Sequence, residues 1–182
     1  ILLAAVLAEG ETVIHNAAQE PEIVDLANYL IARGAKIKDA GKSTIVIEGV
    51  KQLHSCEYTV MPDRIVATTY LSGAALTGGE VVVSSIRPDV MESVLPVFEQ
   101  AGCRLTVYSD AVALSAPRRL HAVDHLRTMP YPGFPTDAQA PIMAMLTMAE
   151  GTSIFVENIF ENRYKHAGEL VRMGADIKVE GK

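Results

Sequence analysis

The sequence lacks several features by which particular classes of protein are recognised. Tryptophan is absent and aromatic residues make up only 5% of the 182 residues, so the core is expected to be aliphatic. Few aromatics also argue against a nucleic-acid site built on base stacking. Lys and Arg number 16 against 22 Asp and Glu, and the formal net charge of −6 disfavours binding to a phosphate backbone. No apolar run approaches the roughly 20 residues that cross a bilayer. We therefore expect no nucleic acid and no membrane among the partners.

Cysteine is also scarce. Cys56 and Cys103 are the two cysteines, and they lie 47 residues apart. A disulfide framework is not expected, and a reducing, cytoplasmic location is predicted. His121 and His125 are four residues apart, but their segment alternates like a strand, which would separate the directions of the two rings. No glycine-rich phosphate loop of a common type occurs either. We expect no metal and no cofactor.

An internal repeat is the strongest pattern that is present. Three similar segments each lead into a β-branched run and a helical stretch: Leu7-Ala-Glu-Gly10, Leu76-Thr-Gly-Gly79 and Met148-Ala-Glu-Gly151. The helical stretches close on Gly34, Gly102 and Gly174, which lie 68 and 72 residues apart. Such regular self-similarity indicates repeated supersecondary units.

Each unit is predicted to run helix–strand–helix–strand–strand–strand. Its first helix (residues 1–8, 69–77 and 138–149) is apolar around nearly its whole circumference and should be buried on all sides. Amphipathic helices are predicted at residues 22–33 and 90–101, the second kinked by Pro96. The predicted strands that follow are residues 36–38, 44–48, 57–60, 104–108, 111–115 and 123–127. The pattern predicts an α/β fold with helices inside sheets.

The ends of the sequence suggest a piece of a longer polypeptide. Residue 1 is Ile rather than Met and stands inside an apolar run, and the sequence stops just after the strand-like residues 175–180. We expect that further chain belongs to the same protein.

Residues 129–139 form an unusual segment with three prolines and a glycine. They predict a stiff, extended loop that delivers Thr136 and Asp137 to the start of a buried helix. One interpretation is that one of these residues is an N-cap, which both residue types favour. The other is a catalytic carboxylate, since a stiff loop loses little entropy when it binds a substrate.

Two further segments carry charged residues with alternative interpretations. Arg163 could bind a carboxylate or a phosphate through two parallel hydrogen bonds, or it could be a solvated arginine beside a glutamate. Pro62-Asp-Arg64 could be a turn with a helix cap or a second contribution to the same cleft.

The chain resembles the family of UDP-N-acetylglucosamine enolpyruvyl transferases (1-carboxyvinyltransferases) over essentially its whole length. The segments that carry the resemblance are Asn16-Ala-Ala-Gln-Glu-Pro-Glu-Ile-Val-Asp25, Pro62-Asp-Arg-Ile65, Tyr131-Pro-Gly-Phe-Pro-Thr-Asp-Ala-Gln-Ala140 and residues 161–175. They correspond to the middle of the family's chain, which is more than twice as long. Local departures are Val66-Ala-Thr68 and Pro141.

The resemblance implies two inside-out α/β barrel domains, each built from three βαβαββ units. Residues 1–60 would be the last unit of the first domain, and residues 61–182 would supply two units of the second. The implied reaction transfers enolpyruvyl from phosphoenolpyruvate to the sugar 3′-hydroxyl of UDP-N-acetylglucosamine and releases phosphate, the first committed step of peptidoglycan synthesis. No metal or cofactor is implied.

The resemblance also implies roles for three residues. Asp137 matches the carboxylate that contacts the 3′-hydroxyl and is the candidate base, Ile159 matches a position whose main chain touches the nucleotide sugar, and Arg163 matches an arginine that faces phosphoenolpyruvate. The resemblance places other parts of the family's site, including its loop cysteine, outside these 182 residues, and neither Cys56 nor Cys103 matches that cysteine. The 182-residue segment alone is therefore expected to be inactive and to need the remainder of its own polypeptide. The alternatives are a catalytically incompetent fragment or scaffold, and the related shikimate-phosphate enolpyruvyl transferase.

Overall fold

The computed structural model describes residues 1–181, which form two compact units, Ile1–Met61 and a second unit from Pro62 onward. The helices are α1 (Leu2–Ala5), α2 (Pro21–Ala32), α3 (Arg64–Leu76), α4 (Leu95–Gln100), α5 (Thr136–Leu146) and α6 (Lys165–Arg172). The strands are β1 (Glu11–His15), β2 (Lys36–Lys38), β3 (Thr44–Glu48), β4 (Glu80–Ser84), β5 (Arg104–Val107), β6 (Ala111–Ser115), β7 (His125–Arg127) and β8 (Ile154–Val156). In residues 1–181 no helix combines the length and the apolar character needed to cross a membrane.

The first two repeats build the same antiparallel sheet. The strand order is β1-β3-β2 in the first unit and β4-β6-β5 in the second. β1 pairs with β3 from Glu11↔Glu48 to His15↔Thr44. β4 pairs with β6 over the same number of residues, from Glu80↔Ser115 to Ser84↔Ala111. The repeat visible in the sequence is therefore a repeat of topology and pairing.

In the first two repeats, the glycine that ends the amphipathic helix packs against a histidine about twenty residues later. Gly34 and Gly102 have φ of +95° and +92°, and a Cβ atom there would lie 3.1 and 2.9 Å from Cδ2 of His54 and His121 respectively. The main-chain N–H groups of these two histidines donate to the C-cap residues of the helices, to Arg33 O at 2.8 Å and to Ala101 O at 3.0 Å. The repeat thus extends to these histidines, which satisfy backbone carbonyls at the helix ends.

A strand–helix–strand arrangement in the second unit positions the candidate site. β7 and β8 pair in parallel, from His125↔Ile154 to Arg127↔Val156, with α5 between them in the chain. Because parallel strands point the same way, their carboxyl ends meet at one edge of the sheet, together with the N-terminus of the connecting helix. Residue 128, the first turn of α5 (residues 136–139) and residues 157–163 lie at this edge.

The buried central helix is confirmed for α5. Apart from Asp137, its residues are buried or half-buried, and the helix continues through Pro141. α1 and α3 are covered less completely, since Leu3 is 65% and Tyr70 66% exposed. Within its own unit, α1 packs one face against the sheet and α2, so only that face is buried.

Three local predictions differ from the structure. Pro96 breaks the expected helix rather than kinking it, because α4 begins at Leu95 and keeps the proline in its first turn, where a missing N–H costs no helical bond. Residues 57–60 form no strand: no partner strand lies beside them in the described part of their unit, and the Tyr58 hydroxyl donates to the Asp25 carboxylate at 2.8 Å. Residues 175–180 form no strand either.

Candidate functional site

The proline-containing segment before α5 is a tight turn rather than the predicted extended loop. Gly133 N–H donates to Pro130 O at 2.8 Å, and Met129 N–H donates to Phe134 O at 3.0 Å. A Cβ atom on residue 133 would lie 2.5 Å from the Met129 Cβ, so this close approach requires glycine. The turn connects the end of β7 to the start of α5.

Neither Thr136 nor Asp137 caps α5, so the capping interpretation is wrong for both. The N-cap is Pro135, whose own side chain makes no cap hydrogen bond. The Thr136 hydroxyl donates to Glu157 Oε2 at 2.9 Å. The Asp137 carboxylate forms an ion pair with the guanidinium of Arg163.

The Arg163 guanidinium contacts two neighbours and remains partly exposed to solvent. Besides Asp137, its guanidinium lies 5.6 Å from the centre of the Phe160 ring. The Asp137 side chain is 62% exposed and that of Arg163 37%, so both charged groups remain accessible to a ligand. A pair this exposed adds little to stability. What it provides is a carboxylate and a guanidinium side by side at the N-terminus of α5.

Glu157, which follows β8, organises this end of the sheet and was missed in the sequence. Its carboxylate accepts five hydrogen bonds. Oε1 accepts from Thr128 Oγ1 at 2.9 Å, Ile159 N at 2.7 Å and Phe160 N at 3.0 Å. Oε2 accepts from Thr136 Oγ1 at 2.9 Å and Gln139 Nε2 at 3.1 Å. One side chain therefore joins the end of β7, the first turn of α5 and the segment after β8.

The same contacts set the ionisation of Glu157. Burial by itself would raise the pKa of this carboxyl, but the N–H groups of Ile159 and Phe160 and the hydroxyls of Thr136 and Thr128 outweigh burial and lower the pKa below its usual range. Two of its hydrogen-bond donors, Thr128 and Gln139, are themselves buried, at 1% and 0% exposed. Buried polar side chains need hydrogen-bond partners.

The remaining residues that the sequence analysis singled out are Ile159 and the segment 62–64. Ile159 is half-buried, and its main-chain N–H is bound by Glu157 as described. Asp63 is the N-cap of α3, with its Oδ1 accepting from Ile65 N at 2.7 Å and Val66 N at 3.1 Å, which supports the capping interpretation. The buried Arg64 guanidinium lies 5.5 Å from the centre of the Tyr131 ring, in the turn before α5.

His166, in the first turn of α6, contacts the main chain of the same segment. Its Nδ1 lies 3.2 Å from Arg163 O, and its Nε2 is buried without a hydrogen-bond partner in residues 1–181. Burial and the nearby Arg163 charge lower the pKa of this imidazole. Across the same residues, no cluster of three His, Cys, Asp or Glu side chains could hold a metal ion.

Comparison with known sequences gives a consistent result. All 182 residues match the model of the EPSP synthase (3-phosphoshikimate 1-carboxyvinyltransferase) family. The chain is 55% identical over 182 residues to UDP-N-acetylglucosamine 1-carboxyvinyltransferase 2 of Caldanaerobacter subterraneus subsp. tengcongensis. It is 54% identical over 181 residues to UDP-N-acetylglucosamine 1-carboxyvinyltransferase of Dichelobacter nodosus. These matches cover 100% of this chain but 44% and 43% of the relatives, so the chain spans less than half of their length.

Comparison with solved structures supports the fold. The enolpyruvyl transferase NikO from Streptomyces tendae superposes with a TM-score of 0.83 at 24% identity, covering 98% of this chain and 43% of that one. EPSP synthase from Acinetobacter baumannii gives a TM-score of 0.65 at 25% identity, covering 96% and 42% of the two chains. The architecture expected from the sequence, repeated α/β units that form part of an enolpyruvyl transferase fold, is confirmed.

Proposed function

Because the chain belongs to the EPSP synthase family of 1-carboxyvinyltransferases, we propose that it is part of an enzyme that transfers enolpyruvyl from phosphoenolpyruvate to the 3′-hydroxyl of UDP-N-acetylglucosamine. The observation that carries the choice of acceptor is the difference in identity. Relatives named for UDP-N-acetylglucosamine are 51–55% identical to the chain, whereas EPSP synthase from Acinetobacter baumannii is 25% identical.

The remainder of the same polypeptide is part of this proposal. Residues 1–60 would be the last unit of one domain and residues 61–182 two units of the other, since the chain spans less than half of its relatives. The whole enzyme would be cytoplasmic and would serve peptidoglycan synthesis, and with it cell-wall growth, cell shape and division.

Asp137 is proposed as the base for the sugar hydroxyl. The 3′-oxygen bonds to C2 of phosphoenolpyruvate while its proton passes to the Asp137 carboxylate, and C3 receives a proton from a donor elsewhere in the polypeptide. A base elsewhere in the polypeptide then takes a proton from C3, which restores the double bond, while the bond between C2 and the phosphate oxygen breaks and releases phosphate. A base must lie within hydrogen-bond reach of the proton that it takes, which the exposed position of Asp137 allows.

Arg163 and Ile159 are proposed to bind the substrates. Arg163 would turn from the Asp137 carboxylate toward the anionic phosphoenolpyruvate, where its guanidinium offsets the negative charge. Ile159 would contact the nucleotide sugar through its main chain. The ion pair between Asp137 and Arg163 supports this assignment, because groups in contact can serve two substrates that must react with each other.

Shikimate 3-phosphate is the second candidate acceptor, since the family model that matches the chain is described by that activity. The test is phosphate release by the full-length protein from phosphoenolpyruvate with each acceptor in turn. We expect release with UDP-N-acetylglucosamine and none with shikimate 3-phosphate, and the reverse pattern would overturn the proposal. The 182-residue segment assayed alone should release no phosphate, and turnover by it would contradict the need for the remaining polypeptide.

A further inference from the structure

Glu157 makes contacts that the proposed reaction does not use. It touches neither Asp137 nor Arg163 in the hydrogen bonds described above, yet it accepts bonds from residues beside both. Thr136 immediately precedes Asp137, and Ile159 and Phe160 precede Arg163 by a few residues. We infer that Glu157 is a positioning residue, which sets the Asp137 carboxylate relative to the main chain of Ile159 through these bonds. This inference rests on the proposed function.

Hydrogen bonds to Glu157 hold the segment after β8 in one conformation. Ile159 N and Phe160 N both donate to Oε1, at 2.7 and 3.0 Å, so the backbone wraps closely around one oxygen atom. Asn158 N donates to Thr128 Oγ1 at 2.9 Å, and that hydroxyl donates to the same Oε1. Three consecutive N–H groups are therefore fixed to β7 through one carboxylate and one buried hydroxyl. Hydrogen bonds to an ionised acceptor are stronger than neutral ones.

The other carboxylate oxygen fixes the helix. Oε2 accepts from Thr136 and Gln139, which are three residues apart and lie in the first turn of α5 on either side of Asp137. Rotation or sliding of this turn would break both bonds. Because the two oxygens belong to one rigid carboxylate, the first turn of α5 and the segment after β8 cannot move independently.

The chemistry of the five donors separates two substitutions. Leu at position 157 offers no acceptor, so all five donors lose their hydrogen bond to this side chain. Gln at position 157 keeps one oxygen for Thr128, Ile159 and Phe160, and its amide N–H₂ can donate to the Thr136 hydroxyl. If the Gln139 amide rotates, the same N–H₂ can also donate to Gln139 Oε1, which is buried without a partner in residues 1–181. Glu157→Gln should therefore preserve the positions that Glu157→Leu releases.

The test uses the full-length enzyme at a temperature where every variant is folded by circular dichroism. In Glu157→Leu, kcat should fall roughly 10²-fold, the loss that a misplacement of about 1 Å causes. Glu157→Gln should keep kcat within about threefold, since most hydrogen bonds are retained. The matched control is Glu161→Gln, an exposed glutamate in the same segment, which should leave kcat unchanged. Amide hydrogen exchange of the Ile159 and Phe160 N–H groups should become faster in Glu157→Leu, but not in Glu157→Gln or Glu161→Gln.

A double mutant separates positioning from a merely structural role. If Glu157 acts on kcat by placing Asp137, then Glu157→Leu should cost less than about threefold in an Asp137→Asn background. A structural defect would lower the active fraction equally in both backgrounds, so multiplied losses would overturn the inference. Wild-type kcat in Glu157→Leu would also overturn it while leaving the proposed function standing. A wild-type enzyme that releases no phosphate with UDP-N-acetylglucosamine would instead overturn the proposed function, and the inference with it.

Discussion

The Asp137 carboxylate and the Arg163 guanidinium form an ion pair between segments that are 26 residues apart in the chain. Asp137 stands in the first turn of α5, and Arg163 in the turn that precedes α6. The pair exists because β7 and β8 are parallel and bring both connections to the same edge of their sheet. A hydroxyl bound to Asp137 and an anion bound to Arg163 would therefore be neighbours.

Replacing Asp137 tests the proposed base. Asp137→Asn keeps the size and polarity of the side chain but cannot accept the proton, so kcat of the full-length enzyme should fall by about 10²–10⁴-fold. Stability should change by less than about 1 kcal/mol, because the ion pair is exposed. The measurement is phosphate release together with denaturant unfolding. Asp124→Asn, on an exposed residue of the same unit, is the control, and near-normal kcat in Asp137→Asn would exclude the proposed role.

Replacing Arg163 tests the proposed binding of the anionic substrate. Arg163→Lys keeps the charge but loses the planar fork that binds two oxygens, so KM for phosphoenolpyruvate should rise about tenfold. KM for the sugar nucleotide should change much less. Arg172→Lys, in an exposed ion pair with Glu169, serves as the control. An equal rise in both KM values would indicate general damage to the site rather than loss of an anion contact.

His166 should make stability depend on pH. Because its pKa in the folded protein is lowered, the unfolded chain binds a proton first, near the ordinary histidine pKa of about 6.5. The free energy of unfolding should therefore decrease as pH falls through that value, until the folded state is protonated too. His166→Gln should remove this part of the pH dependence, as measured by urea unfolding between neutral and acidic pH.

The control for this pH dependence is His125→Gln, since His125 is an exposed residue of β7. The comparison separates the half-buried imidazole of His166 from an exposed histidine of the same unit. A wild-type profile that superposes on that of His166→Gln would show that the buried imidazole does not contribute.

Two glycines should respond to alanine in opposite directions. Gly102→Ala forces a side chain into φ of +92° and against His121, so it should lower the free energy of unfolding by at least ~1–2 kcal/mol. Gly73 lies inside α3, and a Cβ there would meet no atom of residues 1–181 within 4 Å apart from its chain neighbours and the backbone of its own helix. Gly73→Ala should therefore raise that free energy by ~0.5–1 kcal/mol. Denaturant midpoints of the two variants give the comparison, and a shift of the same sign in both would contradict this account of the helix ends.

The sequence predicted those parts of the fold that local patterns determine. Alternation marks β3 and β6, and all-round apolarity marks α5. The end of α2 follows from the residue that closes it, Gly34, which has the positive φ that glycine tolerates. Residues 57–60 have an equally strand-like pattern, but a strand also needs a neighbour, which their own segment cannot reveal.

The candidate site was predicted in part. Asp137 and Arg163 were selected one at a time, and the structure brings them into contact. Glu157 was missed because its partners Thr128 and Thr136 lie 29 and 21 residues away, so no spacing in the sequence points to the cluster. The turn at Gly133 was also missed, since proline content predicts stiffness but not the direction in which a loop folds.

The most direct test is a crystal structure of the full-length protein with UDP-N-acetylglucosamine bound. The account predicts that the sugar 3′-oxygen lies within about 3.2 Å of an Asp137 carboxylate oxygen, on the same side of the site as Arg163. A sugar nucleotide whose 3′-oxygen lies beyond hydrogen-bond reach of Asp137, with Arg163 on another face, would contradict it.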